Sequence, residues 1–188
     1  MNVKSILKKV GIGLVILIVL LFAVMGSIIF DAASYTATGS EKLQTDGTAV
    51  GNALVVYDPG FSGVAKNTAS NISSQLQTHG YNVDLVGIRN SQATNTSDYD
   101  VIAIVGPVYM GKVASSVQEY LKTFKPATGT KVGVFVTGSD PDTANDNALL
   151  MKEAVPLPDG SNITVKTVAK GVNADNTKTI TFVNTLIK

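Results

Sequence analysis

Short apolar runs alternate with helix-period segments through most of this chain. Five runs predict β-strands: Ala53–Tyr57, Asn82–Ile88, Val101–Gly106, Lys131–Gly138 and Ile163–Ala169. Strands that are buried on both faces have continuous hydrophobicity, and the first, third and fourth runs are of this kind. The alternation therefore predicts an α/β domain with a five-stranded parallel sheet in the order 2-1-3-4-5 and helices on both faces.

The segments that connect these strands carry apolar side chains at helical spacing. We predict helices around Ala65–Leu76, Val113–Phe124, Ala144–Ala154 and Ile180–Ile187. Each helix lies between two strands or after the last one, as right-handed crossovers in a parallel sheet require.

A charge-free apolar run, Val10–Phe30, precedes the domain. As a helix it would be about 31 Å long, which matches the hydrocarbon core of a bilayer. Lys4, Lys8 and Lys9 come before it, so the positive-inside rule places the flank of residues 1–9 in the cytoplasm. We expect a single-pass signal anchor in the lipid bilayer, with the following domain extracytoplasmic. A cleaved signal peptide is the less favoured alternative.

Residues 31–52 are polar and contain Gly39, Gly47 and Gly51, which predicts a flexible linker. The remaining residues, 53–188, are enough for one domain with a single core. Cysteine is absent and the net charge is +1. The first fact excludes disulfides and Cys-ligated metals within the chain, and the second gives no electrostatic footprint for nucleic acid.

Three loops follow strands at the predicted carboxyl edge of the sheet: Asp58–Ala65, Pro107–Lys112 and Ser139–Thr143. In open parallel sheets, ligands bind beyond this edge, near the point where the strand order reverses. These loops are therefore the candidate binding site.

The first loop joins a strand to the start of a helix. Gly60 and Gly63 allow a tight turn that exposes backbone N–H groups, and a helix N-terminus favours an anion such as phosphate. Asp58, Ser62 and Lys66 complete the candidate set, with a hydroxyl donor in Ser62 and a cation in Lys66. An ordinary strand–helix turn is the alternative.

The second loop places Tyr109 between Pro107 and Gly111. An aromatic side chain at a strand end can stack on a flat ring, although it can also simply pack on the sheet edge. The third loop offers backbone amides around Gly138 and Ser139. We find no catalytic residue and no metal-ligand motif in these loops.

Two other functions are excluded by position. The Ser62 turn does not follow the pattern of a hydrolase nucleophile elbow. The single histidine, His79, lies at the far end of the following helix, about 25 Å away. A receiver domain needs an Asp at the end of the third strand, where this chain has Val105 and Gly106.

The pattern of these loops resembles that of flavodoxins and flavodoxin-like domains. A strand ends in Tyr57, the Ser62–Gly63 turn leads into a helix, and "GPVYMGK" at Gly106–Lys112 follows the third strand. The resemblance covers residues 53–188. The segment "PVYMGK" is also similar to the flavodoxin-like domain of menaquinone-dependent protoporphyrinogen oxidases.

The resemblance implies FMN as the cofactor. It implies that Ser62 and Gly63 hold the phosphate, that Tyr109 stacks on the isoalloxazine, and that Ser139 borders the ring. The expected function is that of a membrane-tethered flavoprotein that transfers electrons to or from a protein or quinone, with an FMN-dependent oxidoreductase also possible.

A flavin-free binding or cell-envelope module with the same fold is the alternative. Ser62 and Ala65 stand where flavodoxins usually have threonine. Pro59 lengthens the loop and has no N–H for a phosphate.

Overall fold

The structure is a computed structural model that describes residues 3–34, 37–109, 112–138, 165–171 and 176–188. The helix predicted on Ala144–Ala154 lies outside these residues.

The described residues form four α-helices and seven β-strands. The helices are α1 (Val3–Ser34), α2 (Val64–Thr78), α3 (Ser115–Thr123) and α4 (Asn176–Ile187). The strands are β1 (Ser40–Leu43), β2 (Gly51–Tyr57), β3 (Tyr81–Gly87), β4 (Val101–Tyr109), β5 (Lys112–Val113), β6 (Lys131–Thr137) and β7 (Val165–Gly171).

Five strands pair in parallel, in the spatial order β3-β2-β4-β6-β7. Numbered among themselves along the chain, these strands have the order 2-1-3-4-5, so the predicted sheet is confirmed. Val55 of β2 lies opposite Leu85 of β3 and opposite Ala103 of β4. Strand β2 is therefore internal, with a parallel neighbour on each side.

Successive residues of the strands enter two separate cores, because side chains alternate between the faces of a sheet. Leu54 and Ile104 pack in the core that contains Leu121 of α3. On the other face, Val55 packs in the core with Ile72 of α2. Helix α4 closes this second core, where Phe182 meets Phe135 of β6 edge to face at 5.3 Å.

Strand β1 corrects the predicted linker. Instead of a flexible segment throughout 31–52, Ser40–Leu43 pairs antiparallel with β3 at the edge of the sheet. The carbonyl oxygens of Ala37 and Gly39 accept hydrogen bonds from the Arg89 and Gly87 N–H groups, each at 2.8 Å. The strand lies at an exposed edge, where a polar sequence is common. Because it has no apolar run, its sequence does not indicate a strand.

Two further boundaries differ from the predictions. Helix α1 continues to Ser34 instead of ending at Phe30. Val113 belongs to the short strand β5, which folds back on the end of β4, and α3 begins only at Ser115.

Helix α1 contains a stretch, Lys9–Ile28, that is long and apolar enough to cross a membrane. Its mean hydropathy is 2.8, and none of it is buried against the rest of the protein.

We expect the segment before β2 to contribute to the stability of the domain. A fragment that begins at Thr45 lacks β1 and the hydrogen bonds to Ala37 and Gly39. It should unfold with a free energy about 2 kcal/mol lower than a fragment that begins at Ala37, because several backbone hydrogen bonds are lost together. Urea unfolding followed by circular dichroism measures the difference. Equal stability would show that β1 adds nothing to the sheet.

Candidate functional site

The first two loops meet at the carboxyl edge of the sheet. Tyr57, the last residue of β2, lies opposite Val105 of β4, and Pro107 lies opposite Thr137, the last residue of β6. Strand β4 thus extends past the end of β2, so that its last residues stand beside the first loop. Of the third loop's candidates, Gly138 is described, is half-buried and directly follows Thr137.

Two glycines shape the first loop. Gly60 has φ 63° and Gly63 has φ 73°, both in the left-handed region, which costs other L-residues about 1–2 kcal/mol. Gly63 is the N-cap of α2, and its carbonyl oxygen accepts a hydrogen bond from the Asn67 N–H at 3.1 Å. The loop therefore makes the tight strand–helix turn that the sequence predicts.

Gly60 is also the point at which the first two loops touch. It is buried, and a Cβ atom at this position would lie 2.9 Å from Pro107 Cγ and 2.9 Å from the Tyr109 hydroxyl oxygen. Real Cβ atoms do not approach so closely, so the contact between the loops depends on glycine for space as well as for conformation.

Asp58 lies fully buried at the base of the first loop. Its Oδ1 accepts a hydrogen bond from the Gly60 N–H at 3.0 Å, and its Oδ2 accepts one from the Ser116 hydroxyl of α3. Burial raises the pKa of the Asp58 carboxyl, while these two hydrogen bonds and the charge of Arg89 act in the opposite direction. The acid holds the first loop to helix α3.

Tyr109 is half-buried at the end of β4, and its hydroxyl oxygen accepts a hydrogen bond from the Phe61 N–H at 2.8 Å. The side chain of Phe61 itself is 65% exposed. The tyrosine is thus turned toward the first loop, where its hydroxyl holds one of the amides that the sequence assigns to a ligand.

The other predicted residues lie on the outer side of the same loop. Ser62 is exposed, and its Oγ accepts a long hydrogen bond, 3.4 Å, from the Val64 N–H. Lys66 is exposed in the first turn of α2. Gly111 and Ser139 lie outside the described residues, and their roles stay predictions.

Three backbone amides of the first loop donate to side chains, and the Gly63 amide donates to the Gly60 carbonyl oxygen at 3.4 Å. The Gly60 amide is held from beneath by the buried Asp58, whereas the Phe61 and Val64 amides are held from the outside by hydroxyl groups of Tyr109 and Ser62. Hydrogen bonds to hydroxyl groups contribute only about 0.5–1.5 kcal/mol net. The outer side of the loop therefore carries donors of the kind that a phosphate needs, each now on a hydroxyl partner.

Two residues of the site were not predicted from the sequence. Phe61 is an apolar loop residue that contributes through its backbone, for which the sequence carries no signal. Ser116 belongs to the start of α3, and its hydroxyl reaches Asp58, 58 positions earlier in the chain. No local pattern reveals a contact over that separation.

Comparisons with known proteins identify the family and the fold of the domain. A family described as "Flavodoxin domain" matches residues 59–178. No curated protein matches the chain.

Three solved flavodoxins are similar in structure. Oxidised flavodoxin 2 of Bacillus cereus is 22% identical with a TM-score of 0.53, over 72% of this chain and 97% of its own. The flavodoxin of Streptococcus pneumoniae TIGR4 is 13% identical with a TM-score of 0.53, over 72% and 97% of the two chains. The two-electron reduced flavodoxin of Megasphaera elsdenii is 22% identical with a TM-score of 0.51, over 71% and 97%. At these identities the likeness shows a shared fold.

Proposed function

Because this chain belongs to the flavodoxin domain family, we propose that it binds FMN at the carboxyl edge of its sheet and transfers electrons through it. The observation that carries the proposal is the glycine turn at Gly60–Gly63. It leads directly into α2 and packs against Pro107 and Tyr109. This turn and this aromatic side chain provide the two functions that an FMN site needs, a phosphate cradle and a surface for the ring.

In the proposed complex, the phosphate lies on the outer side of the first loop. The Phe61 and Val64 amides become its donors after they leave the hydroxyl groups of Tyr109 and Ser62. The freed Ser62 hydroxyl can then donate as well. The N-terminus of α2 and the exposed Lys66 add favourable charge. The Gly60 amide stays on Asp58, because that hydrogen bond is buried.

In this proposal the ring and the hydroxyl group of Tyr109 have different roles. The ring lies at the loop junction and covers one face of the flavin. The hydroxyl closes the first loop in the free protein and releases the Phe61 amide when a phosphate arrives. FMN, when bound, supplies the redox chemistry, and the protein supplies binding, orientation and electrostatics.

The visible spectrum of the full-length protein, purified in detergent, tests the proposal. Bound flavin gives bands near about 375 and 450 nm. Tyr109→Ala should weaken FMN binding by about 0.5–1.5 kcal/mol, the value of a stacked aromatic pair. Tyr109→Phe keeps the ring and frees the Phe61 amide, so it should bind FMN at least as tightly as the natural chain.

Tyr99→Phe is the matched control, because that hydroxyl donates to Asp84 at 2.6 Å and has no contact with the first loop. It should leave FMN affinity unchanged. A protein that stays colourless and ignores added FMN would contradict the proposal.

The second candidate function is a flavin-free binding or cell-envelope module. The hydrogen bonds that the Gly60 and Phe61 amides already make to Asp58 and Tyr109 favour it, because they give the loop a closed form without a ligand. Ala65, buried where a threonine is usual, also removes a hydroxyl group. Failure of both the natural chain and Tyr109→Phe to bind FMN would support this candidate.

We also propose that α1 tethers the domain to a membrane, with the domain on the extracytoplasmic side and a protein or quinone as redox partner. The support is the apolar stretch Lys9–Ile28, of which nothing is buried, and the lysines before it. The protein should stay with membranes after alkaline carbonate extraction, and protease added to intact cells should remove the domain. Release by carbonate would contradict the tether, and protection from protease would reverse the orientation.

A further inference from the structure

An acid lies beneath the loop that is proposed to hold an anion. Asp58 is fully buried, and the two oxygens of its carboxyl group accept hydrogen bonds from the Gly60 N–H and the Ser116 hydroxyl. Its own N–H donates to the carbonyl oxygen of Val105 in β4 at 2.9 Å. The side chain is therefore fixed between the loop, the sheet and α3.

Little charge compensates this carboxyl group. Among the charged groups of the described residues, only the Arg89 guanidinium acts on it favourably. That guanidinium is already paired with Glu119 of α3 at 2.9 Å. The other groups that contact the carboxyl are the neutral Gly60 amide and Ser116 hydroxyl. Burial outweighs all three and raises the pKa of Asp58.

The Asp58 carboxyl group binds the backbone amide next to the one that is proposed to hold the anion. It holds the amide of Gly60, and the next amide, that of Phe61, is the outer donor that Tyr109 holds at 2.8 Å. An anion on the Phe61 amide and the Asp58 carboxylate would be like charges bound to adjacent amides, and they repel each other because the fully buried carboxylate is poorly screened by solvent. An anion on the Phe61 amide is therefore favoured when the Asp58 carboxyl is neutral.

We infer that Asp58 is the positioning residue of the first loop, and that its protonation sets the affinity of the loop for anions. The neutral acid still accepts the Gly60 N–H, so the loop keeps its shape while the repulsion disappears. Binding of a phosphate or sulfate then takes up a proton. The inference rests on the proposed function, since it concerns the same loop.

The sign of the pH dependence follows from the burial. When an acid has a higher pKa in the folded protein than in the unfolded protein, its contribution to folding stability is fully present at pH values below the pKa of the unfolded protein. This contribution is lost as the pH rises through the pKa of the acid in the folded protein. A bound anion raises the Asp58 pKa further, so anion affinity should fall as the pH rises through this range.

Sulfate is the suitable probe, because the phosphate of FMN has its own ionisation near pH 6 and sulfate has none in this range. Sulfate affinity of the full-length protein in detergent is measured by the shifts of backbone amide resonances from about pH 4 to about pH 8. The natural chain should lose about tenfold in affinity, the equivalent of a one-unit pKa change.

Asp58→Asn keeps an acceptor for the Gly60 N–H and removes the charge. Its sulfate affinity should be independent of pH and close to the low-pH value of the natural chain. Asp84→Asn is the matched control, since it also removes one negative charge. Asp84 forms an ion pair with Lys42 and accepts a hydrogen bond from the Tyr99 hydroxyl. It should follow the natural chain.

Ser116→Ala gives a second test that does not depend on the fold of the Asn variant. The Ser116 hydrogen bond lowers the Asp58 pKa, so its loss should move the midpoint of the sulfate profile to higher pH. An unmoved midpoint, an Asp58→Asn profile as steep as the natural one, or no sulfate binding at any pH would overturn the inference.

The two proposals fail in different ways. If sulfate shows the expected pH dependence but FMN does not bind, the flavin function falls and the role of Asp58 is kept. If FMN binds and Asp58→Asn leaves the sulfate profile unchanged, the flavin function is kept and the role of Asp58 falls.

Discussion

Strand β2 has a parallel neighbour on each edge, and this arrangement determines where a site can form. The chain leaves β2 through α2 on one face of the sheet, whereas the connection after β4 uses α3 on the other face. The loops that follow β2 and β4 therefore connect to helices on opposite faces of the sheet. The crevice between such loops is where ligands bind in open parallel sheets.

The contacts at the carboxyl edge of the sheet come from side chains that each hold one amide of the first loop. Asp58 binds the Gly60 amide from beneath, and Tyr109 binds the Phe61 amide from the side. The inner contact is buried, while the outer one is partly exposed, and in the proposed complex only the outer one exchanges with a ligand. This difference reconciles a loop that is closed in the free protein with a proposed ability to hold a phosphate.

The strands and the sheet order were predictable, because buried parallel strands such as Val101–Gly106 are continuously apolar. Strand β1 was not predictable, because Ser40–Leu43 is a polar edge strand that only its pairing with β3 identifies. The glycine turn at Gly60 and Gly63 was also accessible from the sequence, since few other residues adopt that conformation.

The hydrogen-bond partners of the loop amides could not be predicted from the sequence. The Tyr109–Phe61 hydrogen bond joins residues 48 positions apart, and the Ser116–Asp58 bond joins residues 58 positions apart. Such contacts depend on the packing of whole elements, which no local pattern encodes. The sequence therefore predicted donors that are free, whereas the structure places acceptors against them.

The central claim is that the outer amides of the first loop hold the phosphate of FMN. Backbone amide resonances of the isotopically labelled full-length protein, recorded during a titration with FMN, measure this directly. The account predicts that the Phe61 and Val64 resonances shift most among those near the sheet edge, while the Gly60 amide remains protected from exchange with solvent. Binding of FMN that leaves the Phe61 and Val64 resonances unmoved, or no binding at all, would contradict it.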